Sequence, residues 1–259
     1  MALKNELGAI AWFSLMTTKF ESIGSFYTQL FGWEVTKHEI PGIGDSIQYS
    51  ATKGKVFAGP VPLEPNTDLS SHWIPYFAVR DVDQASRKVV DHGGTLAHEG
   101  FDIPTVGRTA IVVDPGGAPF HIYTPEVTDQ DINVIGGDFG EPCWLELTSN
   151  KPKALSSFYQ NILPWGLSEI DMGTPDPYII AKSGENMVCG ISPRDPSLPT
   201  VAEVWLPYFM VQDIAQSSQQ VVALGGKTHM DPKPIQQGIF ALVEDPAGAR
   251  FYLFQDHPK

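Results

Sequence analysis

Two titratable side chains lie in short segments whose alternation of apolar and polar residues is typical of strands. These are His121 in PFHIY and Glu146 in CWLELT. An imidazole titrates near physiological pH, so His121 is a candidate general base or hydrogen-bond partner of a substrate. The alternative is an imidazole that only bonds a tyrosine or a carbonyl inside a polar cleft. We favour this second role, because no acid is visibly paired with His121.

Glu146 lies two residues after Trp144, so both side chains share one face of the strand. If that face lines a cleft, a partly buried carboxylate acquires a raised pKa and accepts a proton. The alternative is a carboxylate neutralised by a lysine or arginine, and Arg250 has the strand parity to reach it. Both interpretations stay open, and His121 and Glu146 are the two catalytic candidates.

A third candidate feature is a set of aromatic side chains on the same strands. Such rings bind flat or hydrophobic ligands by stacking and by burial of area, and a tyrosine adds a hydroxyl. The alternative is an ordinary core, which we assign to Trp33 and Trp165. The candidate lining residues are Trp12, Tyr76, Tyr123, Trp144, Tyr208, Tyr252 and Phe254.

Composition narrows the functional classes. The chain has 259 residues, a formal net charge of −13 and 42% hydrophobic residues, which is typical of a globular protein. An acidic chain repels phosphate backbones and anionic lipid, so we expect neither nucleic acid nor a membrane as partner. Glu6 interrupts the apolar start of the sequence, and only two cysteines are present. We therefore expect a cytoplasmic protein whose partner is a small molecule.

An internal repeat determines the domain organisation. All six tryptophans form pairs that are 132 positions apart. We therefore predict a first domain over 7–125, an acidic, glycine-containing linker over 126–139 and a second domain over 140–257. The pairs are Trp12 and Trp144, Trp33 and Trp165, and Trp73 and Trp205.

Within each half, the apolar periodicity predicts the order strand, helix and three strands, and this order occurs twice. Thr18 and Glu21 form a predicted capping box for the first helix, which Gly32 ends. Asp81 is the predicted N-cap of the second helix, and Asp213 is its counterpart in the second half. The prediction is an α+β protein of two tandem domains with four βαβββ units.

With this order of strands and helices, the chain resembles the vicinal oxygen chelate superfamily, which includes glyoxalase I, bleomycin and fosfomycin resistance proteins and extradiol dioxygenases. Three segments carry the resemblance, FYTQLFGWEV, WIPYFAVRDVDQA and VGRTAIVVDPGGAPFHIY, and each has a second copy. The resemblance is greatest to tandem two-domain bacterial members described as glyoxalase-like or hydroxylase-like. It implies curved mixed sheets around a cleft, one cleft in each half.

The resemblance also implies a divalent metal, held by His or Glu at three strand positions in each half. A catalytic metal site usually needs three protein ligands. Among the six corresponding residues, His121 alone has a side chain suited to this role, so we predict no bound metal cofactor. Trp12 and Trp144 then either fill the clefts or form their floors, and we favour the floor. The six positions are Trp12, Ile74 and His121, followed by Trp144, Leu206 and Tyr252.

Two functional hypotheses follow. The first is binding of a small hydrophobic or aromatic molecule in one or both clefts, as the resemblance to drug-binding resistance proteins implies. The second is a lyase, isomerase or hydroxylase acting on an oxo or dihydroxy substrate through His121 or Glu146, with or without an atypical metal. A duplicated chain forms the dimer of its single-domain relatives internally, so we expect a monomer or a loose homodimer.

Overall fold

The computed structural model describes residues 7–51, 56–64, 69–127, 132–196 and 203–257. Two of the predicted segments lie at least partly outside the described residues. They are the start of the sequence, of which residues 1–6 are not described, and the linker, of which residues 128–131 are not described. Across the described ranges, no helix is both long enough and apolar enough to span a membrane.

Each half of the chain forms one mixed sheet of eight strands with two helices in its described part. The first half contains β1 (Ile10–Thr17), α1 (Ile23–Phe31), β2 (Glu34–Ile40), β3 (Gly44–Ser50), β4 (Val56–Pro62), β5 (His72–Ala78), α2 (Val82–Asp91), β6 (Thr95–Ile103), β7 (Gly107–Val113) and β8 (Pro119–Pro125). The second half contains β9 (Pro142–Ser149), α3 (Pro152–Ile162), β10 (Gly166–Ile170), β11 (Tyr178–Ser183), β12 (Asn186–Pro193), β13 (Trp205–Met210), α4 (Ile214–Ala223), β14 (Lys227–Ile235), β15 (Gly238–Glu244) and β16 (Arg250–Asp256).

The strand order confirms four βαβββ units and shows how they pair. The first sheet runs β2-β3-β4-β1-β5-β8-β7-β6, and the second repeats this order as β10-β11-β12-β9-β13-β16-β15-β14. The first strand of each unit lies parallel to the fourth strand of the same unit. The two first strands of a half lie antiparallel at the centre of the sheet. Units therefore pair within each half and not across the linker.

Helix boundaries confirm one class of predicted cap and correct another. The Asp81 side chain accepts a hydrogen bond from the Gln84 backbone N–H at 2.8 Å, and Asp213 makes the equivalent contact in the second half. The capping box predicted at Thr18 is wrong: α1 begins at Ile23, and its N-cap makes no side-chain bond. Thr18 instead uses its backbone N–H to bond Ser71, so the segment before α1 is a turn.

The central strands have two apolar faces with different partners. On β1, Phe13 and Leu15 are fully buried, whereas the alternate residue Trp12 is only partly buried. Phe13 and Leu15 belong to one large cluster of core residues that also contains the buried residues of α1 and α3. We call this side of each sheet the core face and the opposite side the cleft face.

The core faces of the two sheets pack against each other. Trp33 from the first half lies 5.1 Å from Phe209 of the second, measured between ring centroids, and Phe77 lies 5.2 Å from Trp205. Trp33 and Trp165 are both buried in this core, as the sequence predicted. The two domains therefore share one aromatic core, so burial of apolar area holds them together.

Two reciprocal hydrogen bonds cross this shared core. Tyr27 on α1 donates its hydroxyl to Asp245 Oδ2 at 2.9 Å, and Tyr159 on α3 donates to Asp114 Oδ2 at 2.8 Å. Each aspartate lies in the turn between the last two strands of the other half, where its Oδ1 accepts backbone N–H groups. One tyrosine therefore ties the first helix of each half to the other half.

The described part of the connection between the halves contacts both of them. The backbone N–H of Val134 bonds the Ile10 carbonyl at 2.9 Å, and Val134 itself is buried. At the start of the second half, Trp33 Nε1 donates to the Gly140 carbonyl at 2.7 Å. The Gly140 backbone N–H in turn bonds the Met210 carbonyl of β13 at 2.9 Å, so the connection is held by both halves.

Replacing Tyr27 or Tyr159 with phenylalanine should destabilise the chain by about 1–3 kcal/mol, because each change leaves a buried carboxylate oxygen without its donor. Urea unfolding followed by tryptophan fluorescence measures this loss. Tyr252→Phe is the matched control, since the described residues offer its hydroxyl no hydrogen bond, and it should cost under about 0.5 kcal/mol. Equal unfolding midpoints for all three variants would contradict the role of the cross-core bonds.

Candidate functional site

The cleft face of the first sheet carries the predicted residues of the first half on three adjacent strands. Trp12 on β1 pairs with Tyr76 on β5, and Tyr76 pairs with His121 on β8. Tyr123 follows on the same face of β8, where its hydroxyl donates to the Val106 carbonyl at 2.8 Å. Trp12, Tyr76 and Tyr123 are partly exposed. The structure therefore brings these four predicted site residues together.

His121 is held by stacking on one side and by a hydrogen bond at its ring edge. Its ring stacks on Tyr76 with centroids 3.8 Å apart and planes 7° apart. Thr109 Oγ1 lies 3.0 Å from His121 Nδ1 and donates its own hydrogen to the Ile122 carbonyl. A hydroxyl has one hydrogen to donate, so Thr109 accepts from an Nδ1–H, and Nε2 carries the lone pair.

Burial keeps His121 neutral. Loss of solvent lowers the pKa of His121 to about 3, and the nearby His98 adds to the effect. The hydroxyl of the neighbouring Tyr76 bonds Ser14 Oγ at 3.1 Å, and burial raises the pKa of Tyr76 to about 12. The first cleft face thus presents a neutral hydrogen-bond acceptor, His121 Nε2, beside aromatic rings.

The second cleft face is more densely packed. Tyr208 and Tyr252 stack with centroids 4.3 Å apart, and both are buried. They form a separate apolar cluster with Leu206 and Leu242, against which Trp144 and Phe254 pack while partly exposed. The predicted aromatic residues of the second half are therefore also gathered on one face.

Glu146 lies on this face among hydroxyl groups. Its Oε1 accepts from Ser192 Oγ at 3.1 Å, and its Oε2 accepts from the Tyr208 hydroxyl at 3.2 Å. The Tyr178 hydroxyl is close enough to interact with the carboxylate, and its oxygen accepts from Trp144 Nε1 at 3.0 Å. Burial raises the pKa of Glu146, while the three hydroxyl bonds oppose that rise.

The alternative interpretation of Glu146, an ion pair with Arg250, is wrong. Arg250 Nε donates to Glu244 Oε2 at 3.2 Å, and Glu244 also bonds Lys227 and His229. Burial alone would raise the pKa of Glu244, but these three partners lower it to about 2. Within the ranges the structure describes, no basic side chain forms an ion pair with Glu146.

Sequence reasoning missed Tyr178, Ser192 and Thr109, the groups that orient the two candidate residues. One signal was present for Tyr178. Gly190 lies inside β12, and a glycine within a strand often marks the close approach of another group. A Cβ at position 190 would overlap the Tyr178 hydroxyl, so the glycine provides the space in which Tyr178 reaches Glu146.

The residues at the six positions where the resemblance implies metal ligands do not fit a divalent metal. Trp12, Ile74, Trp144 and Leu206 have no side-chain group suited to bind such an ion, and the Tyr252 hydroxyl lies stacked on Tyr208. His121 contributes one nitrogen, whereas about three protein ligands are usual. In the part of the chain with described coordinates, no three His, Cys, Asp or Glu side chains come together.

Comparisons with known proteins agree with this architecture. Residues 12–123 match the sequence model of the Glyoxalase-like domain family. The chain is 30% identical to "Putative glyoxylase CFP32" of Mycobacterium tuberculosis, covering 97% of this chain and 96% of the relative. It is also 30% identical to the anthracycline biosynthesis protein DnrV of Streptomyces peucetius, covering 96% and 93%. The Mn(II)-bound glyoxalase of Novosphingobium aromaticivorans superposes with a TM-score of 0.62 at 13% identity, covering 96% and 82%.

His121 should show no titration between about pH 5 and pH 8 in a nuclear magnetic resonance experiment on the imidazole nitrogens. Because its pKa is lowered to about 3 in the folded chain, protonation favours the unfolded chain. Its contribution to stability is full above about pH 6.5 and declines as the pH falls towards the folded value. The spectrum of His121→Asn assigns the resonance, and an assigned imidazole that titrates near neutrality would contradict the buried neutral state.

Gly190→Ala should destabilise the chain by about 1–3 kcal/mol, because the added methyl displaces Tyr178 from Glu146. Gly166→Ala is the matched control in the same sheet, since an added Cβ there has nothing within 4 Å. Thermal and urea unfolding of both variants measure the difference. If Gly190→Ala were as stable as the control, Tyr178 would not need the space that Gly190 leaves.

Proposed function

Because this chain belongs to the vicinal oxygen chelate superfamily, we propose that it uses the family's cleft faces to bind a small, flat aromatic molecule without a divalent metal. The proposal is supported by the bulky apolar side chains that stand at four of the six positions where the resemblance implies metal ligands. Trp12 and Trp144 occupy the first ligand position of each half and lie partly exposed on the cleft faces. Their exposed ring area favours stacking of a flat ligand.

The polar groups of the first face indicate which ligand groups it would accept. His121 Nε2 is a neutral acceptor, and the Tyr76 hydroxyl bonds Ser14 beside it. A phenolic hydroxyl on the ligand would donate to Nε2 while its ring lies against Trp12. A hydroxylated aromatic ligand is consistent with the similarity to DnrV, which is named for the biosynthesis of anthracyclines, a class of polycyclic aromatic compounds.

We also propose that the chain acts as a monomer or a loose homodimer. Its two core faces already cover each other, which leaves no large core face for a second copy to cover within the described parts of the sheets. Its acidity, a net charge of −13, supports a small molecule as partner in preference to nucleic acid.

Calorimetry with 2-naphthol tests the proposal on chelator-treated protein. We expect binding whose affinity does not change when Mn²⁺ or Ni²⁺ is added. The double variant Trp12→Ala, Trp144→Ala should weaken binding by about tenfold or more, because both stacking surfaces are removed. Met172→Ala, which shortens a side chain that is 59% exposed, is the control and should bind normally. Binding that appears only after metal is restored would overturn the proposal.

A further inference from the structure

The second cleft face holds a carboxylate at a position where the first face has a hydroxyl group. Ser14 occupies on β1 the position of Glu146 on β9: Ser14 pairs with Ile74, and Glu146 pairs with Leu206. The first face presents the neutral groups Ser14 and His121, whereas the second presents an acid. The equivalent strands β1 and β9 therefore differ in charge on their cleft faces.

The hydrogen bonds around Glu146 are directed to stabilise its ionised form. Ser192 and Tyr208 donate to opposite oxygens of the carboxylate. The neighbouring Tyr178 hydroxyl accepts from Trp144 Nε1, and it interacts with the same carboxylate. Two hydroxyl donors to one carboxylate favour its ionised form and oppose the rise in pKa that burial causes, and an ammonium group beside the carboxylate would favour the ionised form further.

Among the residues that the structure describes, no basic side chain forms an ion pair with Glu146 on this face. Elsewhere in the same half the chain neutralises a buried acid directly, with Lys227, His229 and Arg250 around Glu244. At Glu146 the charge instead acts on the neighbouring tyrosines. It contributes, after burial, to the raised pKa values of Tyr178, Tyr208 and Tyr252.

The rings around the carboxylate favour the same kind of ligand as the carboxylate itself. Tyr208 and Tyr252 stack beside it, and Trp144 and Phe254 border them with part of their surface exposed. The face of an aromatic ring attracts a cation, and this attraction is strongest where water is excluded. An anion and several ring faces in one place together select a positively charged group.

We propose that the second cleft face binds an organic ammonium group attached to an aromatic body, with Glu146 as its counter-ion. The ammonium hydrogens would bond the Glu146 oxygens, and the attached ring would lie against Trp144. This inference rests on the proposed function and specifies the ligand class of one of the two faces. The first face, with a neutral acceptor at His121, would take the uncharged analogue without preference for the amine.

Two matched probes test the inference, 1-naphthylmethylamine, which is protonated at neutral pH, and 1-naphthylmethanol, its neutral counterpart. Calorimetry on the full chain should show that the amine binds about tenfold more tightly than the alcohol. Glu146→Gln should reduce the affinity for the amine to that for the alcohol and so remove the preference. Glu185→Gln removes the same charge from the exposed turn between β11 and β12, so it should keep the preference.

A second measurement on the unmodified protein does not depend on the folding of a variant. The indole N–H resonance of Trp144 should shift when the amine is added, because Trp144 Nε1 bonds Tyr178 next to the carboxylate. Equal affinities for amine and alcohol would overturn the inference and leave the proposed aromatic binding intact. An amine preference that persists in Glu146→Gln, without a shift at Trp144, would also overturn it. Failure of both probes to bind would overturn both proposals.

Discussion

The aromatic core between the two sheets is the constraint on which the other features depend. Each central strand has two apolar faces, and one of them must be covered by helices and by the other half. Because Trp33, Phe77, Trp205 and Phe209 meet there, the two core faces are removed from water together. The opposite faces stay outside this core, and they are the faces to which we assign the proposed ligand. A side chain's parity along its strand decides whether it supports the fold or lines a cleft.

The two cleft faces share a scaffold but differ in chemistry. Tyr76 and Tyr208 are equivalent by sequence and by register, and each stacks on the residue beside it. That residue is the neutral imidazole His121 in the first half and Tyr252 in the second. The acid Glu146 is found only in the second copy. Duplication thus preserved the aromatic framework, while the polar groups at its centre diverged.

Much of this architecture follows from the sequence, because a repeat of tryptophans and the alternation of apolar residues depend on local order along the chain. The N-caps at Asp81 and Asp213 follow for the same reason. The cap predicted at Thr18 fails because that threonine bonds Ser71 on a distant segment. The Tyr178 contact with Glu146 crosses from β11 to β9, and register between strands distant along the chain is not encoded by local patterns. The roles of His121 and Glu146 stay predictions.

The connection between the halves, which contacts both of them between Val134 and Gly140, has a consequence for how this protein could evolve. In a homodimer of identical subunits, every substitution appears twice, so a change that benefits one cavity is imposed on its twin. Joining the subunits into one polypeptide keeps the partners at a high effective concentration and releases them from that symmetry. Substitutions can then change the chemistry of one cleft while the other cleft keeps its original residues.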